Sequence, residues 1–364
     1  MPPVRFIATA ALLTLGTALA CADPAALVAP RLARADVVHD DVLDGVVPYG
    51  VGTLRRAAPG SPCATGNYRQ FDFWVGEWGV PNPQAAGTFV ATNRIVADLD
   101  GCVVIENWRP QGGIVGRSLN SWDAEAGVWR QVWIPAAGRP VRMAGGARNG
   151  RLMDLSGVRN HAVLPIVYTD SYWWTAPHPD TVKQEYIVDV SPNFFHSEGQ
   201  VLYARQATLP ETTPRVAVRC TTGDASETRA LDPVLGSWRV EATPGPQLGT
   251  STIVSDVDGC LFEERFTTTK GYAAISWTYW DPIVQRWHRS IVDSEGERIE
   301  LAGTREGGVL TLEGVEPIPG HADARLRVVQ RTAADGIRQE WSVSTDGGTT
   351  WRAIRTITFV NIAA

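Results

Sequence analysis

Apolar and polar residues alternate in short runs along most of the chain, and turn-forming residues separate these runs. The runs are rich in Val, Ile, Thr, Tyr and Trp, whereas Gly, Asp, Asn and Pro lie between them. A period of two is typical of β-strands with one buried face. Clear examples are Cys102–Trp108, Trp129–Ile134 and Ile337–Ser344, and we find no long helical pattern in either half. The chain is therefore predicted to be all-β, with about 8 to 10 strands per unit closing into an antiparallel barrel.

The same succession of motifs occurs twice in the same order, which indicates two homologous units. The Gly-x-Trp motif at Gly76 returns 160 residues later at Gly236. Gln184 in Lys-Gln-Glu-Tyr returns 155 residues later as Gln339 in Arg-Gln-Glu-Trp. Because the spacing drifts by only five residues across the unit, a few loop-length changes explain it. We therefore predict two tandem domains of one fold.

The first 20 residues have the features of a secretory signal peptide. One charge at Arg5 precedes an uncharged run of apolar or small residues from Phe6 to Ala20. This run is about 15 residues long, whereas a membrane-spanning helix needs about 20. No later segment approaches that length, so we expect an exported protein without a transmembrane segment in its mature chain.

Cys21 leaves two forms of the exported protein open. Leu19-Ala20-Cys21 resembles a bacterial lipoprotein box, in which the cysteine is lipidated, although Ala18 stands where a large aliphatic residue is usual. The protein is thus expected either free in the periplasm or attached to the outer membrane through lipidated Cys21. The residues after Cys21 lack clear periodicity and favour a flexible tether. The predicted segments are a signal peptide 1–20, a flexible tether 21–65, a first domain 66–219, a linker 220–226 and a second domain 227–364.

Four of the five cysteines repeat with the domains. Cys63 precedes Cys102 by 39 residues, and Cys220 precedes Cys260 by 40 residues. In an exported chain this matched spacing predicts two equivalent disulfides, with buried free thiols as the alternative. No metal site is predicted, because no histidine recurs beside these cysteines. Cys21 is left over, which agrees with lipidation or with removal in the signal peptide.

Charge and composition exclude some classes of function. Lys plus Arg total 33 and Asp plus Glu total 39, and the resulting net charge of −6 argues against nucleic-acid binding. The sequence contains no Gly-x-Ser-x-Gly, His-Glu-x-x-His or phosphate-loop motif, so no catalytic residue is identified, a single catalytic base stays open, and no cofactor is predicted. The 14 tryptophans suit an apolar cavity, and a hydrophobic small molecule is the expected partner.

Several motifs resemble a family of uncharacterised bacterial exported proteins of lipocalin-like, calycin type. Its members open with Phe-Asp-Phe-Trp-x-Gly-x-Trp, which stands here at residues 71–78. A Gly-Cys strand start follows at Gly101 and again at Gly259, and an Asp-Gly-Gly-x-Thr-Trp turn begins at Asp346. The resemblance covers about residues 61–362 and implies two tandem lipocalin-like antiparallel β-barrels with no established activity.

Alternation along the strands predicts which side chains line each barrel. In the strand after Cys260, the aromatic face carries Phe262, Glu264 and Phe266, so Glu264 is expected inside. Its repeat counterpart Glu106 is expected inside the first barrel. The same reasoning on other strands selects an aromatic lining with a few polar groups. The predicted ligand-binding residues are Glu106, Trp108, Trp129, Gln131, Trp133, Gln184, Glu264, Trp287, Arg289, Gln339 and Trp341.

One difference between the repeats concerns the two inward-facing glutamates. Arg289 faces the second interior and could pair with Glu264, whereas Gln131 takes the place of that arginine in the first interior. Burial without a cationic partner disfavours the charged form of a carboxyl group. We therefore expect a raised pKa at Glu106.

The sequence leaves three functions open. The first is an exported double-barrel protein that binds an apolar or amphipathic small molecule. The second is a lipocalin-like isomerase, hydratase or cyclase acting on a hydrophobic substrate, which would need little more than one acid or base. The third is a structural envelope protein whose barrels are filled by their own side chains. An open cavity in at least one barrel would distinguish the first function from the third.

Overall fold

Two closed barrels of ten antiparallel strands each make up the described part of the chain in this computed structural model. Neighbouring strands in the sequence pair throughout, and the last strand of each barrel pairs with its first. The prediction of an all-β chain with two tandem barrels is thus confirmed. The described residues are 61–148, 150–192, 195–209, 220, 225–315, 321, 323–333 and 335–362.

The last three strands of the first barrel, β8 to β10, are its longest, with 11 or 12 residues each. The first barrel consists of β1 (Gly76–Pro81), β2 (Phe89–Asp98), β3 (Val103–Pro110), β4 (Gly116–Asp123), β5 (Val128–Pro135), β6 (Val141–Arg148), β7 (Leu152–Asn160), β8 (Val167–His178), β9 (Thr181–Ser191) and β10 (Phe195–Gln206). The second consists of β11 (Gly236–Ala242), β12 (Gln247–Asp256), β13 (Leu261–Thr268), β14 (Ala273–Asp281), β15 (Arg286–Asp293), β16 (Arg298–Glu306), β17 (Val309–Val315), β18 (Arg325–Ala333), β19 (Gly336–Ser344) and β20 (Arg352–Asn361).

Among the described residues, helical structure is confined to short segments that lead into the strands. In the described residues no helix has the length and apolar character needed to cross a membrane. The predicted signal peptide, Cys21 and most of the predicted tether lie outside the described residues. The helical segments are α1 (Ala225–Arg229) and the 3₁₀ turns Pro62–Ala64, Gly66–Arg69, Asp72–Trp74, Leu99–Gly101, Asp232–Val234 and Val257–Gly259.

A tryptophan of the Gly-x-Trp motif closes the base of each barrel. The Trp78 indole Nε1 donates to the Trp74 carbonyl at 2.7 Å, and Trp238 Nε1 donates to the Val234 carbonyl at 3.0 Å. In the first barrel the guanidinium of Arg205 lies 4.2 Å from the centre of the Trp78 ring. Both indoles are buried in the barrel cores, so each lead-in segment acts as a plug at one end of its barrel.

Two disulfides attach these lead-in segments to the barrel walls. Cys63 is bonded to Cys102, just before β3, and Cys220 is bonded to Cys260, just before β13. The predicted pairing is confirmed. Cys63 is buried and lies in a 3₁₀ turn, within the segment that the sequence assigns to the tether.

The barrels pack against each other through the same outer face. Val103 and Leu261 are repeat counterparts 158 residues apart, and both lie in one apolar cluster that joins the barrels. Leu119 and Trp277 are a second such pair in this cluster. The contact therefore has the self-complementary form of a twofold dimer interface, built here within one chain.

Ion pairs at the edge of this interface join equivalent aspartates of the two barrels to arginines that are not equivalent. Arg117 Nη1 lies 2.6 Å from Asp256 Oδ2, and Arg265 Nη1 lies 2.8 Å from Asp98 Oδ2. Asp98 and Asp256 are themselves repeat counterparts, each at the end of the second strand of its barrel. The outer faces of β3–β5 and β13–β15 are consequently covered, and ligand access must come from elsewhere.

Candidate ligand cavity in the first barrel

The first barrel encloses a cavity of about 150 Å³ above its tryptophan base. Strands β3, β5, β6, β8, β9 and β10 contribute inward-facing side chains to its wall. We call this space the first-barrel cavity. Its lining residues are Glu106, Trp108, Gln131, Trp133, Val141, Met143, Tyr172, Gln184, Tyr186, Val201 and Tyr203.

Glu106 is the carboxyl group of this cavity, and its side chain is buried. Asn93 Nδ2 on β2 donates to Glu106 Oε1 at 2.7 Å, and Ser118 Oγ on β4 donates to Glu106 Oε2 at 2.8 Å. Burial raises the pKa of Glu106 to about 7, and the two hydrogen bonds offset only part of that effect. The raised pKa agrees with the expectation from the sequence. Glu106 therefore changes charge close to neutral pH.

A chain of hydrogen bonds extends from Glu106 across the wall to Gln131. Gln131 Nε2 donates to Asn120 Oδ1 at 2.5 Å, and Asn120 Nδ2 donates to Ser118 Oγ at 2.9 Å. Because β3, β4 and β5 are neighbours in register, these inward side chains follow one another from strand to strand. The network holds Glu106 and Gln131 in fixed positions. The Oδ1 atom of Asn93 is buried and has no hydrogen-bond partner among the described residues.

A second polar pair lies on the adjoining strands β9 and β10. Tyr203 Oη donates to Gln184 Oε1 at 2.7 Å. The pKa of Tyr203 lies well above its ordinary value, because its hydroxyl is buried and the charge of Glu106 acts on it. Tyr203 thus stays neutral and serves as a hydrogen-bond donor.

Aromatic rings form most of the remaining wall. The ring centres of Trp108 and Tyr203 are 6.2 Å apart in an edge-to-face arrangement, and those of Tyr172 and Tyr186 are 5.8 Å apart and nearly parallel. The fifth ring belongs to Trp133. Its outer edge covers Gly116, where any side chain would collide with it. Glycine at position 116 therefore leaves room for the Trp133 ring.

A buried ion pair lies near Tyr172 on the same inward face of β8. Arg159 Nη2 is 2.9 Å from Asp170 Oδ2, and both side chains are buried. Arg159 also donates to the Pro140 carbonyl at 2.8 Å and lies over the ring of Tyr168. The charge of Arg159 is therefore balanced by its own partner. No Lys, Arg or His is among the side chains that line the first-barrel cavity in the described structure.

The interior of the second barrel is filled around its inward-facing glutamate, and a separate pocket of about 290 Å³ lies between the lead-in segment and strands β16 to β18, beside Leu231 and Gln330. Only about 10 Å³ remains between Glu264, Arg289 and their neighbours. Arg289 Nε donates to Thr278 Oγ1 at 2.9 Å, and its Nη2 donates to Gln330 Oε1 at 2.8 Å. Glu264 accepts a hydrogen bond from Ser251 Oγ at 2.8 Å. The guanidinium that the sequence predicts inside this barrel thus occupies its interior.

The predicted site residues divide into three groups by position. Five of them meet at one cavity: Glu106, Trp108, Gln131, Trp133 and Gln184. Two tryptophans face inward but lie at the bases, where Trp129 Nε1 donates to Gln70 Oε1 at 3.1 Å and Trp287 Nε1 donates to Glu227 Oε2 at 2.9 Å. The remaining four belong to the packed core of the second barrel: Glu264, Arg289, Gln339 and Trp341.

Tyr203, Val201, Val141 and Met143 are cavity residues that the sequence prediction omits. The alternation of Val201 and Tyr203 on β10 carries the same signal as the other strands. Tyr186 lies on the same face of β9 as Gln184, two residues further along the strand. Tyr172 lies in a segment that has no close counterpart in the second half of the sequence. Pairing of β8, β9 and β10 brings these tyrosines together.

A larger space of about 400 Å³ lies between the two barrels, and its charged groups already have partners. Arg130 binds Asp123 at 2.5 Å, and Arg142 binds Asp281 at 2.9 Å. Arg298 binds a neighbouring carboxylate in the same way. This cleft therefore has less to offer a ligand than the first-barrel cavity, whose carboxyl group has no cationic partner among the described contacts.

Comparisons with known proteins give no functional assignment. No protein-family description matches the chain, and no curated protein matches it. The structure is similar to the crystal structure of a Nostoc punctiforme protein of unknown function from the DUF3598 family. The identity is 11%, the match covers 82% of this chain and 100% of that chain, and the TM-score is 0.19. A TM-score this low supports no argument about fold or function.

Proposed function

We propose that this protein binds a small amphipathic molecule inside its first barrel. The observation that carries the proposal is the contrast between a cavity of about 150 Å³ beside Glu106 in the first barrel and the about 10 Å³ left beside its counterpart Glu264 in the second. A protein whose barrels served only as structure would gain stability by filling both interiors, because empty space forfeits packing contacts. The open first barrel therefore favours binding.

The composition of the wall supports an amphipathic ligand. Rings of Trp108 and Trp133 offer apolar surface, whereas Glu106 and Gln184 offer fixed polar groups. Ligand sites commonly combine an apolar lining with a few placed polar groups. A cavity of about 150 Å³ is large enough for one benzene-sized ring. The ligand is thus a compact molecule, or the ring of a longer one that projects from the barrel.

Two disulfides fit a protein that is exported from the cell. The lipoprotein-like segment at Cys21 supports attachment to the outer membrane, and release into the periplasm is the alternative. The resemblance of the sequence motifs to lipocalin-like exported proteins agrees with ligand binding inside a barrel. We propose that the first barrel binds its ligand on the outer side of the cytoplasmic membrane.

Filling the cavity tests the proposal directly. Val201→Trp places a large ring inside the first-barrel cavity, and Leu202→Trp places the same ring on the outer face, where Leu202 is 51% exposed. Fluorine NMR of fluorobenzene should report binding to the wild-type chain and to Leu202→Trp, and loss of binding to Val201→Trp. Equal binding by all three proteins, or by none, would contradict the proposal.

A further inference from the structure

We propose that the ligand of the first barrel is a small organic cation, an amine or quaternary ammonium ion held beside Glu106. This inference rests on the proposed function, because it names the chemical class that the first-barrel cavity takes. It goes beyond an amphipathic ligand by assigning the sign of its charge. Three observations on the described residues carry it.

The first observation is the aromatic wall. Five rings surround the cavity, from Trp108, Trp133, Tyr172, Tyr186 and Tyr203. The face of an aromatic ring carries partial negative charge, and it attracts a cation more strongly when water is excluded. Cages of several rings are the usual means by which proteins bind quaternary ammonium groups. The wall is therefore suited to a cation and offers little to an anion.

The second observation is the balance of charge and of hydrogen-bonding groups. Glu106 is the only carboxyl group among the described lining residues, and none of those residues is basic. Arg130 and Arg142 lie on the outer face of β5 and β6, and each is bound to an aspartate. Next to Glu106, Asn93 Oδ1 is a buried acceptor without a partner in the described structure. A ligand that donates hydrogen bonds and carries positive charge would complement this site.

The third observation comes from the second barrel. Arg289 is the repeat counterpart of Gln131, 158 residues later, and its guanidinium occupies the second interior together with Glu264. Where the chain supplies its own cation, about 10 Å³ of space remains. Where Gln131 replaces that cation, a cavity of about 150 Å³ remains around the corresponding glutamate. The second barrel thus shows a filled version of the site that we infer for the first.

The charge of Glu106 makes the inference dependent on pH. Burial raises the pKa of Glu106 to about 7, and the groups packed around it are Asn93 on β2, Ser118 on β4, Tyr172 on β8 and Tyr203 on β10. Burial holds the pKa of both tyrosines above the ordinary value, so these phenols stay neutral. An ammonium ion should bind the ionised form of Glu106 and release a proton below pH 7.

Three probes with the same ring and different charge provide the test. Calorimetric titration of the full mature chain at pH 8 with benzylamine, benzyl alcohol and benzoate measures the affinity for a cation, a neutral molecule and an anion. We expect benzylamine to bind about tenfold or more tightly than benzyl alcohol, and benzoate to bind most weakly. Benzylamine affinity should fall about tenfold between pH 8 and pH 6, following the ionised fraction of Glu106.

Glu106→Gln and its counterpart Glu264→Gln form a matched pair of variants. We expect Glu106→Gln to weaken benzylamine binding about tenfold or more while benzyl alcohol affinity stays within about threefold. Glu264→Gln should leave both affinities unchanged, and thermal melts check that both variants fold. If benzyl alcohol or benzoate binds as tightly as benzylamine, the cation inference is wrong while the proposed function stands. If none of the probes binds, the proposed function fails and the cation inference fails with it.

Discussion

The two barrels share strand number, pairing order, plug and disulfide position, yet in the described structure the inward-facing glutamate borders a cavity of about 150 Å³ in the first and a space of about 10 Å³ in the second. The inward residue at one position of the fifth strand differs, with Gln131 in the first barrel and Arg289 in the second. The guanidinium reaches Gln330 on the far side of the interior, at 2.8 Å. One long side chain therefore occupies, in the second barrel, the place that is open beside Gln131 in the first, although the fold is the same.

Side-chain size alone does not explain this contrast. The strand pairing of Tyr172 with Tyr186 corresponds to that of Val328 with Trp341. Tyr172 is larger than Val328, whereas Tyr186 is smaller than Trp341, so the two differences largely offset each other. The space beside each glutamate instead differs where Arg289 crosses the second interior to Gln330 and the shorter Gln131 leaves the first interior open.

The largest loss of stability is expected from removing either disulfide, a feature that both barrels have. The disulfides close loops of 39 and 40 residues, so loop-closure entropy predicts that each stabilises its barrel by about 4 kcal/mol. Urea unfolding of the double variants Cys63→Ala/Cys102→Ala and Cys220→Ala/Cys260→Ala should therefore give similar losses. A loss confined to one of the two would show that the barrels depend differently on their lead-in segments.

A smaller effect on the free energy of unfolding is expected from the titration of Glu106. Its folded-state pKa of about 7 lies above the ordinary value of 4.5, so the unfolded chain releases the proton first as pH rises. This group therefore stabilises the fold at low pH, and that stabilisation is lost between about pH 4.5 and 7. Glu106→Gln should match the wild type at pH 5 and exceed it by about 2 to 3 kcal/mol at pH 8.

Urea unfolding of both proteins at the two pH values checks this prediction. Asp293 in the second barrel also has a pKa raised by burial to about 7, so the wild type and the variant should share a residual decline in stability. Only the difference in the free energy of unfolding between the wild type and Glu106→Gln reports the titration of Glu106. An identical pH dependence in both would show that Glu106 has an ordinary pKa.

The smallest effect on stability is expected from exchanging the residues that distinguish the barrels. Arg289→Gln removes hydrogen bonds to Thr278 and Gln330 and leaves unfilled volume, at a cost of about 2 kcal/mol. The same variant should gain a second binding site for fluorobenzene. Gln131→Arg should fill the first barrel and abolish its benzylamine binding. If Arg289→Gln binds no additional probe in fluorine NMR, other side chains fill the second interior.

Alternation along the strands predicted the direction of side chains well. Glu106, Trp108 and Gln131 face inward as the sequence predicts, because a strand with period two has no other way to bury its aromatic face. Depth along the barrel was not predictable from that pattern. Trp129 shares a face with Gln131 but lies lower, against Gln70 of the plug. Strand tilt and register set this height, and neither is encoded in alternation alone.

The amino-acid sequence alone predicts the all-β class, the two repeats, the disulfide partners and the inward faces of the strands. Each of these follows from spacing or periodicity, which are local properties of the chain. Two other features became visible in the folded barrels: β8 to β10 bring Tyr172, Tyr186 and Tyr203 to Glu106, and Arg289 crosses its barrel. Whether a barrel interior is open depends on how side chains from distant strands meet, and that is a property of the closed sheet.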